Sequence, residues 1–398
     1  MNQPSHPDPL AAVRALFPGT RDRTYVDLGG RCLLAEPVRA AIAAHLDDMM
    51  YGRIDKDALF AKTEATRERF ARLIHARPDE ITYTKNISEG LNIVATGVDW
   101  QAGDNVIVCP ELEHPNNIYL WLNLQRRGVE VRYVHHENGR MPVDGMIAAI
   151  DARTRVLTAS SVTFSPGFRT DIDRLGRACR EYGVLFLVDA AQSGGVLDHD
   201  VTKSNIDALS VSTQKGLLGL YGMGFLYLRR ELADRMTPAY VARFGIDMGD
   251  KDAHESDTGN GSFDFMPGAK RFDLGNYNFA AVCGVHESLG LLLNLGMPQV
   301  EAHVMALSRE LGSGLRELGL PVCAGASDDG LAGIVTVGLY GSGGDKASSD
   351  EKMNRLYAHL KANQVVLSMR RGVLRFSFHV YNNRDDVQRA LQLAREIA

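Results

Sequence analysis

Along the middle of this chain, apolar residues come in short, nearly continuous runs separated by polar stretches with helical spacing. The runs at Asn105–Cys109, Val129–Val134, Arg155–Ser160, Val184–Val188, Ala208–Val211 and Gly224–Leu228 are too short for helices. They also lack the alternation of a half-buried strand, so they predict strands covered on both faces. Between two of them Ile172, Leu175, Ala178 and Cys179 recur at helical spacing, which predicts a helix over Asp173–Tyr182. Strands alternating with helices predict a mostly parallel sheet between helical layers, an α/β architecture. Near the C-terminus the order changes to the strand-like A-G-I-V-T-V-G-L-Y, a helix, the strand L-R-F-S-F-H-V-Y and a last helix from about Arg384. That order predicts a smaller α+β domain at 297–398, after a large domain at 25–296 and an N-terminal arm at 1–24. The opening dozen residues, Pro-rich and polar, are expected to run over the surface. Gly245–Ser262 is rich in Gly, Asp and Ser and is expected to be a long loop of functional interest.

Composition narrows the class. With 45% hydrophobic and 23% charged residues, the chain has ample core for a soluble globular protein. A formal net charge of -5 predicts no general attraction to nucleic acid or anionic membrane. No apolar run reaches the roughly 18 residues needed to span a bilayer. The start, M-N-Q-P-S-H-P-D-P-L, lacks the basic and apolar regions of a signal peptide. Five scattered cysteines without a C-x-x-C spacing argue against a disulfide framework or a zinc site. A cytoplasmic protein with reduced thiols and no metal is expected. His135 and His136 are adjacent on a strand and so point to opposite faces, which suits a strand end better than a metal pair.

Two segments carry the chemistry. V-D-A-A-Q (Val188 to Gln192) and S-T-Q-K-G (Ser212 to Gly216) each follow a buried strand, which places an acid and an amine around one crevice. An Asp that pairs with a pyridine nitrogen and a Lys that forms an imine are what pyridoxal 5'-phosphate requires of a protein. Asp189 at the end of an apolar strand needs a charged partner. Lys215 precedes G-L-L-G-L-Y-G-M-G, whose glycines allow close backbone approach. Ser88, in T-K-N-I-S-E-G-L-N, stands at a helix start, where it serves as a cap, an anion site or both. His114 lies between a strand and a helix, suited to stacking on an aromatic ring. Arg375 sits in an apolar strand and requires a carboxylate, either an internal acid or a substrate α-carboxylate.

With these motifs in order, the chain resembles the class V aminotransferase family of fold type I pyridoxal-phosphate enzymes. It is most similar to the cysteine desulfurase/selenocysteine lyase and isopenicillin-N-epimerase-like groups. The resemblance runs from Y-V-D-L at Tyr25 to Y-N-N-R-D-D-V at Tyr381. It implies a mostly parallel seven-stranded sheet in the large domain. It also implies that Lys215 bonds the cofactor and later moves the Cα proton, with Asp189 on the pyridine nitrogen. Gln192 would reach the phenolic oxygen and His114 would stack on the ring. Ser88 and Glu89 match the phosphate loop, and Ser212 and Gln214 would add phosphate contacts. Gln214 stands where many relatives have His. Asn276, in F-D-L-G-N-Y-N, matches the residue that reaches the partner subunit's phosphate, which implies a homodimer with shared active sites. Asn117 and Arg375 match substrate-side positions, Arg375 as the carboxylate clamp.

Two departures modify the expectation. Desulfurases carry a nucleophilic cysteine in a loop just before the clamp strand, whereas this chain reads V-V-L-S-M-R-R-G-V-L-R there. Phe164 also stands where relatives often have Asn, with Thr163 or Ser165 as substitutes. The expected activity is a lyase acting by β-elimination or side-chain cleavage on a small amino acid. An aminotransferase, an epimerase and a cofactor-bound regulator are the alternatives. The 24 residues before Tyr25 are too few for the DNA-binding module of such a regulator. Arg370 and Arg371 are candidates to shape the substrate pocket. If either faces the cofactor, the substrate would carry a second acidic group.

Overall fold

The computed structural model describes residues 9–248, 262–323 and 330–398. Its centre is a seven-stranded sheet built from β1 (Ile81–Thr84), β2 (Asn105–Val108), β3 (Glu130–Tyr133), β4 (Thr154–Ser160), β5 (Leu185–Asp189), β6 (Ala208–Ser212) and β7 (Gly224–Leu228). The spatial order is β1-β7-β6-β5-β4-β2-β3. Only β7 runs antiparallel to its neighbours; β2 to β6 pair in parallel. The expected strands are therefore present, each within a residue or so of its apolar run.

Both faces of the sheet are sealed, which is why the runs do not alternate. Ile107, Leu157, Phe186 and Leu209 point into one core, while Val106, Val108, Val156 and Leu187 point into another. The helix predicted at Asp173–Tyr182 spans Ile172–Tyr182, capped by Asp171 at its start and by left-handed Gly183 at its end.

A second, three-stranded antiparallel sheet forms from β8 (Ile334–Val337), β9 (Ser368–Arg370) and β10 (Val373–Ser377), with β10 in the middle. Helices at Met297–Glu317, Glu351–Ala362 and Arg384–Arg395 contribute to its core. That core also takes in Val26 and Leu28 from the start of the chain. Thr24–Tyr25 pairs in parallel with Val365–Val366, a contact the apolar pattern does not announce.

The opening residues correct one expectation. Residues 1–8 lie outside the described part, but Pro9–Arg14 forms a helix instead of wandering over the surface. Val13 and Phe17 are buried, Phe17 packs against Tyr381 with ring centroids 5.0 Å apart, and Arg14 pairs with Asp386 at 2.7 Å. Most of Gly245–Ser262 lies outside the described residues. At its margins Ile246–Asp247 pairs antiparallel with Asp264–Phe265. Among the described residues, no single helix is long and apolar enough to cross a membrane.

Candidate active site

The carboxyl ends of the parallel strands open on one recess, as the switch in strand order dictates. Its walls include Ile87, His114, Asn116, Ser160, Val162, Phe164, Asp189, Ala191, Gln192, Ser212, Gln214 and Lys215. Six of the expected residues thus converge: Lys215, Asp189, His114, Gln192, Ser212 and Gln214.

Lys215 follows β6 in a tight turn. Burial pulls its amine down to about 8, with further depression by the charges of Arg375 and Arg370 and partial recovery from Asp189 and Asp27. A neutral amine, the form that attacks a carbonyl, is therefore present in about a tenth of the molecules at pH 7. Asp189 ends β5 with its Oδ1 accepting from the Ala191 amide at 2.9 Å. Burial pushes its carboxyl upward, so a cation placed beside it would restore the charged form.

Behind Asp189 lies a residue that the sequence reading passed over. Glu113 is fully buried and takes bonds from the Ser160 amide at 2.6 Å, the Ser160 hydroxyl at 2.5 Å and the Asn117 amide at 2.9 Å. Ser160 stands directly beside Asp189 in the parallel pairing of β4 with β5. Burial, and the negative charge of Asp189, raise the Glu113 carboxyl. A buried acid beside the histidine in E-L-E-H was the available signal.

That network relocates Asn117. It is completely buried, its amide spent on Glu113 and on Thr158 at 3.1 Å, and its oxygen accepts from Trp121 at 3.2 Å. The structure places it behind the wall, outside the lining of the recess. Asn116 is the neighbour that faces the recess, and it donates to Ser88 Oγ at 2.7 Å.

The helix Ile87–Gly97 begins at this recess. Its cap is Asn86, which accepts from the Glu89 amide at 3.0 Å, so Ser88 is left in the first turn beside free helix amides. The helix is pressed onto β6 through Gly90: a Cβ there would lie 2.3 Å from Ser210 Oγ, so only glycine permits the contact. Glu89 accepts from the Lys85 amide and, with Asn276, lines a second cleft that also holds Lys85 and Gly222. Asn276 is in a left-handed conformation with φ 45°.

Arg375, in the middle strand of the small sheet, is completely buried. Nε donates to Ser368 at 3.2 Å and Nη1 to the Phe164 carbonyl at 3.0 Å, while Nη2 has no partner. Burial lowers its guanidinium to about 10. Gly29 closes over it so tightly that a Cβ would lie 3.0 Å from Nη2. Phe164 supplies more than a carbonyl: its ring meets His114 edge to face at 5.0 Å. Of the two flanking hydroxyls, that of Thr163 is spent on the amides of Gly167 and Phe168, and Ser165 Oγ is buried without a partner. His114 Nδ1 accepts from the Asn116 amide, and burial together with the Lys215 and Arg371 charges lowers its ring toward the neutral form.

A family model described as Aminotransferase class-V matches residues 55–390. The chain belongs to the class V aminotransferase family. It is a pyridoxal-phosphate-dependent enzyme, and its recess suits that group: a buried acid that forms no ion pair among the described residues, a depressed lysine amine and a helix start meet there. A probable cysteine desulfurase of Methanothermobacter thermautotrophicus is 29% identical, over 97% of each chain. In solved structures, the apo cysteine desulfurase of Thermococcus onnurineus superposes with a TM-score of 0.83 at 24% identity, covering 100% of this chain and 99% of that one. The cystine C–S lyase C-DES, seen with cysteine persulfide, gives 0.81 at 22% identity, covering 95% and 99%. These structural likenesses establish the shared fold.

Proposed function

We propose that this class V enzyme is a lyase that breaks a bond at the side chain of a small amino acid, by β-elimination or side-chain cleavage, and passes no sulfur through a cysteine of its own. The observation that carries this reading is a recess equipped for Cα chemistry with no thiol in its wall. All five cysteines lie among the described residues. Burial pushes the thiols of Cys32, Cys109 and Cys179 up to about 12, and those of Cys283 and Cys323 upward as well. Thiols held in that state are poor nucleophiles. Arg370 and Val373 are paired across a tight turn just before Arg375, leaving no loop there for a cysteine.

When bound, the cofactor supplies a protonated ring that accepts the electrons released at Cα. Asp189 would hold the proton at the ring nitrogen, and the buried Glu113 network would keep that carboxylate in place. Lys215 would bond the cofactor and then, as a neutral amine, take the Cα proton. Gln192 would hold the phenolic oxygen, and His114 would cover the ring with Phe164 against its edge. The first-turn amides of Ile87–Gly97, with Ser88, Ser212 and Gln214, would take the phosphate. Arg375 would turn its unpartnered Nη2 to the substrate carboxylate.

The cleft of Asn276, Lys85 and Glu89 stands apart from Lys215, which supports a homodimer in which Asn276 reaches the partner subunit's phosphate. In this reading residues 25–296 carry the cofactor, 297–398 carry the clamp, and the enzyme is cytoplasmic.

Mass spectrometry of products tests the reaction. Holoenzyme is incubated with a pool of amino acids in deuterium oxide, with and without keto acids. Without an added acceptor, ammonia with a new keto acid is expected from β-elimination, and a shortened amino acid from side-chain cleavage. Turnover only with an acceptor would make the enzyme an aminotransferase. Deuterium at Cα on an unchanged skeleton of inverted configuration would make it an epimerase. Either result overturns the lyase reading.

A further inference from the structure

We propose that the substrate carries a second acidic group, at the end of its side chain, and that Arg370 receives it. The inference rests on the reading of Lys215, Asp189 and Arg375 as an amino-acid site and names the substrate class of that site.

The geometry begins with the hairpin β9–β10. Ser368 pairs with Arg375 and Arg370 pairs with Val373, so Ser368, Arg370 and Arg375 project from one face. The bond from Arg375 Nε to Ser368 Oγ at 3.2 Å confirms that face. Diagonal neighbours in an antiparallel pair have their Cβ atoms about 7 Å apart, within reach of long side chains. Arg370 therefore extends over the same space that Arg375 walls.

Arg370 is also unspent. Its one side-chain bond runs from Nη1 to the neighbouring Met369 carbonyl at 2.8 Å, and it forms no ion pair among the described residues. A half-buried guanidinium resting on its own strand keeps most of its donor fork for a planar anion. Its charge is felt at both Lys215 and Arg375. Arg371, next in sequence, is differently placed. Its Nη1 is held by the Glu111 carbonyl and by the Tyr340 hydroxyl at 2.5 Å, which leaves Arg370 as the free member of the pair.

The donors of the two guanidinium groups are not filled without a ligand. Arg375 Nη2 has no partner and Arg370 gives one bond to its own strand, while the carboxylates whose charge reaches this space, Asp189, Asp27 and Asp345, form no ion pair with either guanidinium among the described residues. A monoacid neutralises one guanidinium and leaves the other unmatched. A diacid answers both.

The test compares acids with their amides. Holoenzyme is titrated with L-aspartate, L-glutamate, L-asparagine and L-glutamine while the visible absorbance of the bound cofactor is followed. At least one acid is expected to bind about tenfold or more tightly than its own amide, since only the acid offers a charge-assisted fork. Arg370→Gln should collapse that ratio toward one, and Arg370→Lys should keep part of it. Arg375→Gln should weaken acid and amide together. Equal affinity for acid and amide in the unaltered enzyme overturns the inference, as does a ratio that survives Arg370→Gln. In both cases the loss of response in Arg375→Gln would preserve the amino-acid reading. No response to any of the four probes defeats that reading and the inference with it.

Discussion

Two arginines are sealed completely inside this protein, and they are treated in opposite ways. Arg67 gives Nη2 to Asp273 at 2.6 Å and to Glu64 at 3.2 Å, and Nη1 to the Ile81 carbonyl at 2.5 Å. Asp273 is satisfied in turn by the Thr82 hydroxyl at 2.7 Å and the Tyr277 hydroxyl at 2.9 Å. These partners hold the Arg67 guanidinium well above its usual range despite burial. Arg375 has only neutral partners, one idle nitrogen and a lowered affinity for its proton. A buried charge that serves the fold is closed off by its neighbours. Arg375 is kept buried and without an acid on its idle nitrogen, as the proposed role for it requires, since the missing partner would then come from outside.

The widest gap between the two should appear on substitution by methionine. Arg67→Met strands Asp273 as an uncompensated buried charge and should lower stability by about 3–5 kcal/mol in urea denaturation. Arg375→Met removes an unsatisfied cation, so stability should hold or rise slightly. Binding of an amino acid, followed by cofactor absorbance, should instead weaken by about 3 kcal/mol, on the order of 100-fold. If both variants lost stability equally, Arg375 would be a structural residue too.

Lys215 extends the contrast to pH. Its folded amine releases the proton at about 8, against 10.5 for the free side chain. Uptake of added pyridoxal phosphate by the apoprotein should therefore fall about tenfold per pH unit below 8 and level off above it. Between those two values the unfolded chain holds a proton that the folded one lacks, so apoprotein stability should climb with pH across that window. Below 8 this contribution should be flat. Calorimetry of the apoprotein over pH checks it.

The smallest effect concerns Glu113. Replacing it with Gln removes a buried carboxyl whose ionisation is coupled to that of Asp189. The acid limb of the holoenzyme's visible absorbance should shift by roughly a few tenths of a pH unit. A limb that stays in place would show that Glu113 only packs.

What could be read from the sequence follows from these same physical distinctions. Strands buried on both faces advertise themselves, because nothing but apolar residues survives there; Leu185–Asp189 and Gly224–Leu228 were legible for that reason. Lys215, Asp189 and Arg375 were legible because charge at the end or middle of an apolar run demands an explanation. Glu113 stayed hidden because its neighbours are polar and only the fold shows them to be inside. Asn116 and Asn117 are adjacent in a short 3-10 turn, and composition carries no information on which of the two faces the recess. The pairing of Thr24–Tyr25 with Val365–Val366 is too brief and too distant to leave a pattern. The burial of Phe17 was likewise concealed by the proline-rich stretch before it.

The Gly29 amide donates to Ser377 Oγ at 2.7 Å across 348 positions of sequence, and Gly29 is also the residue that closes over Arg375. At roughly 5 to 20 residues per second, a ribosome would finish the two partners about 20 to 70 s apart. During that interval the lysine and its crevice can exist without the arginine proposed to orient an amino acid. On the proposed role of Arg375, the nascent polypeptide is unable to select a substrate until translation reaches its last hairpin, and an early-made glycine waits for the last-made serine before the enzyme becomes competent.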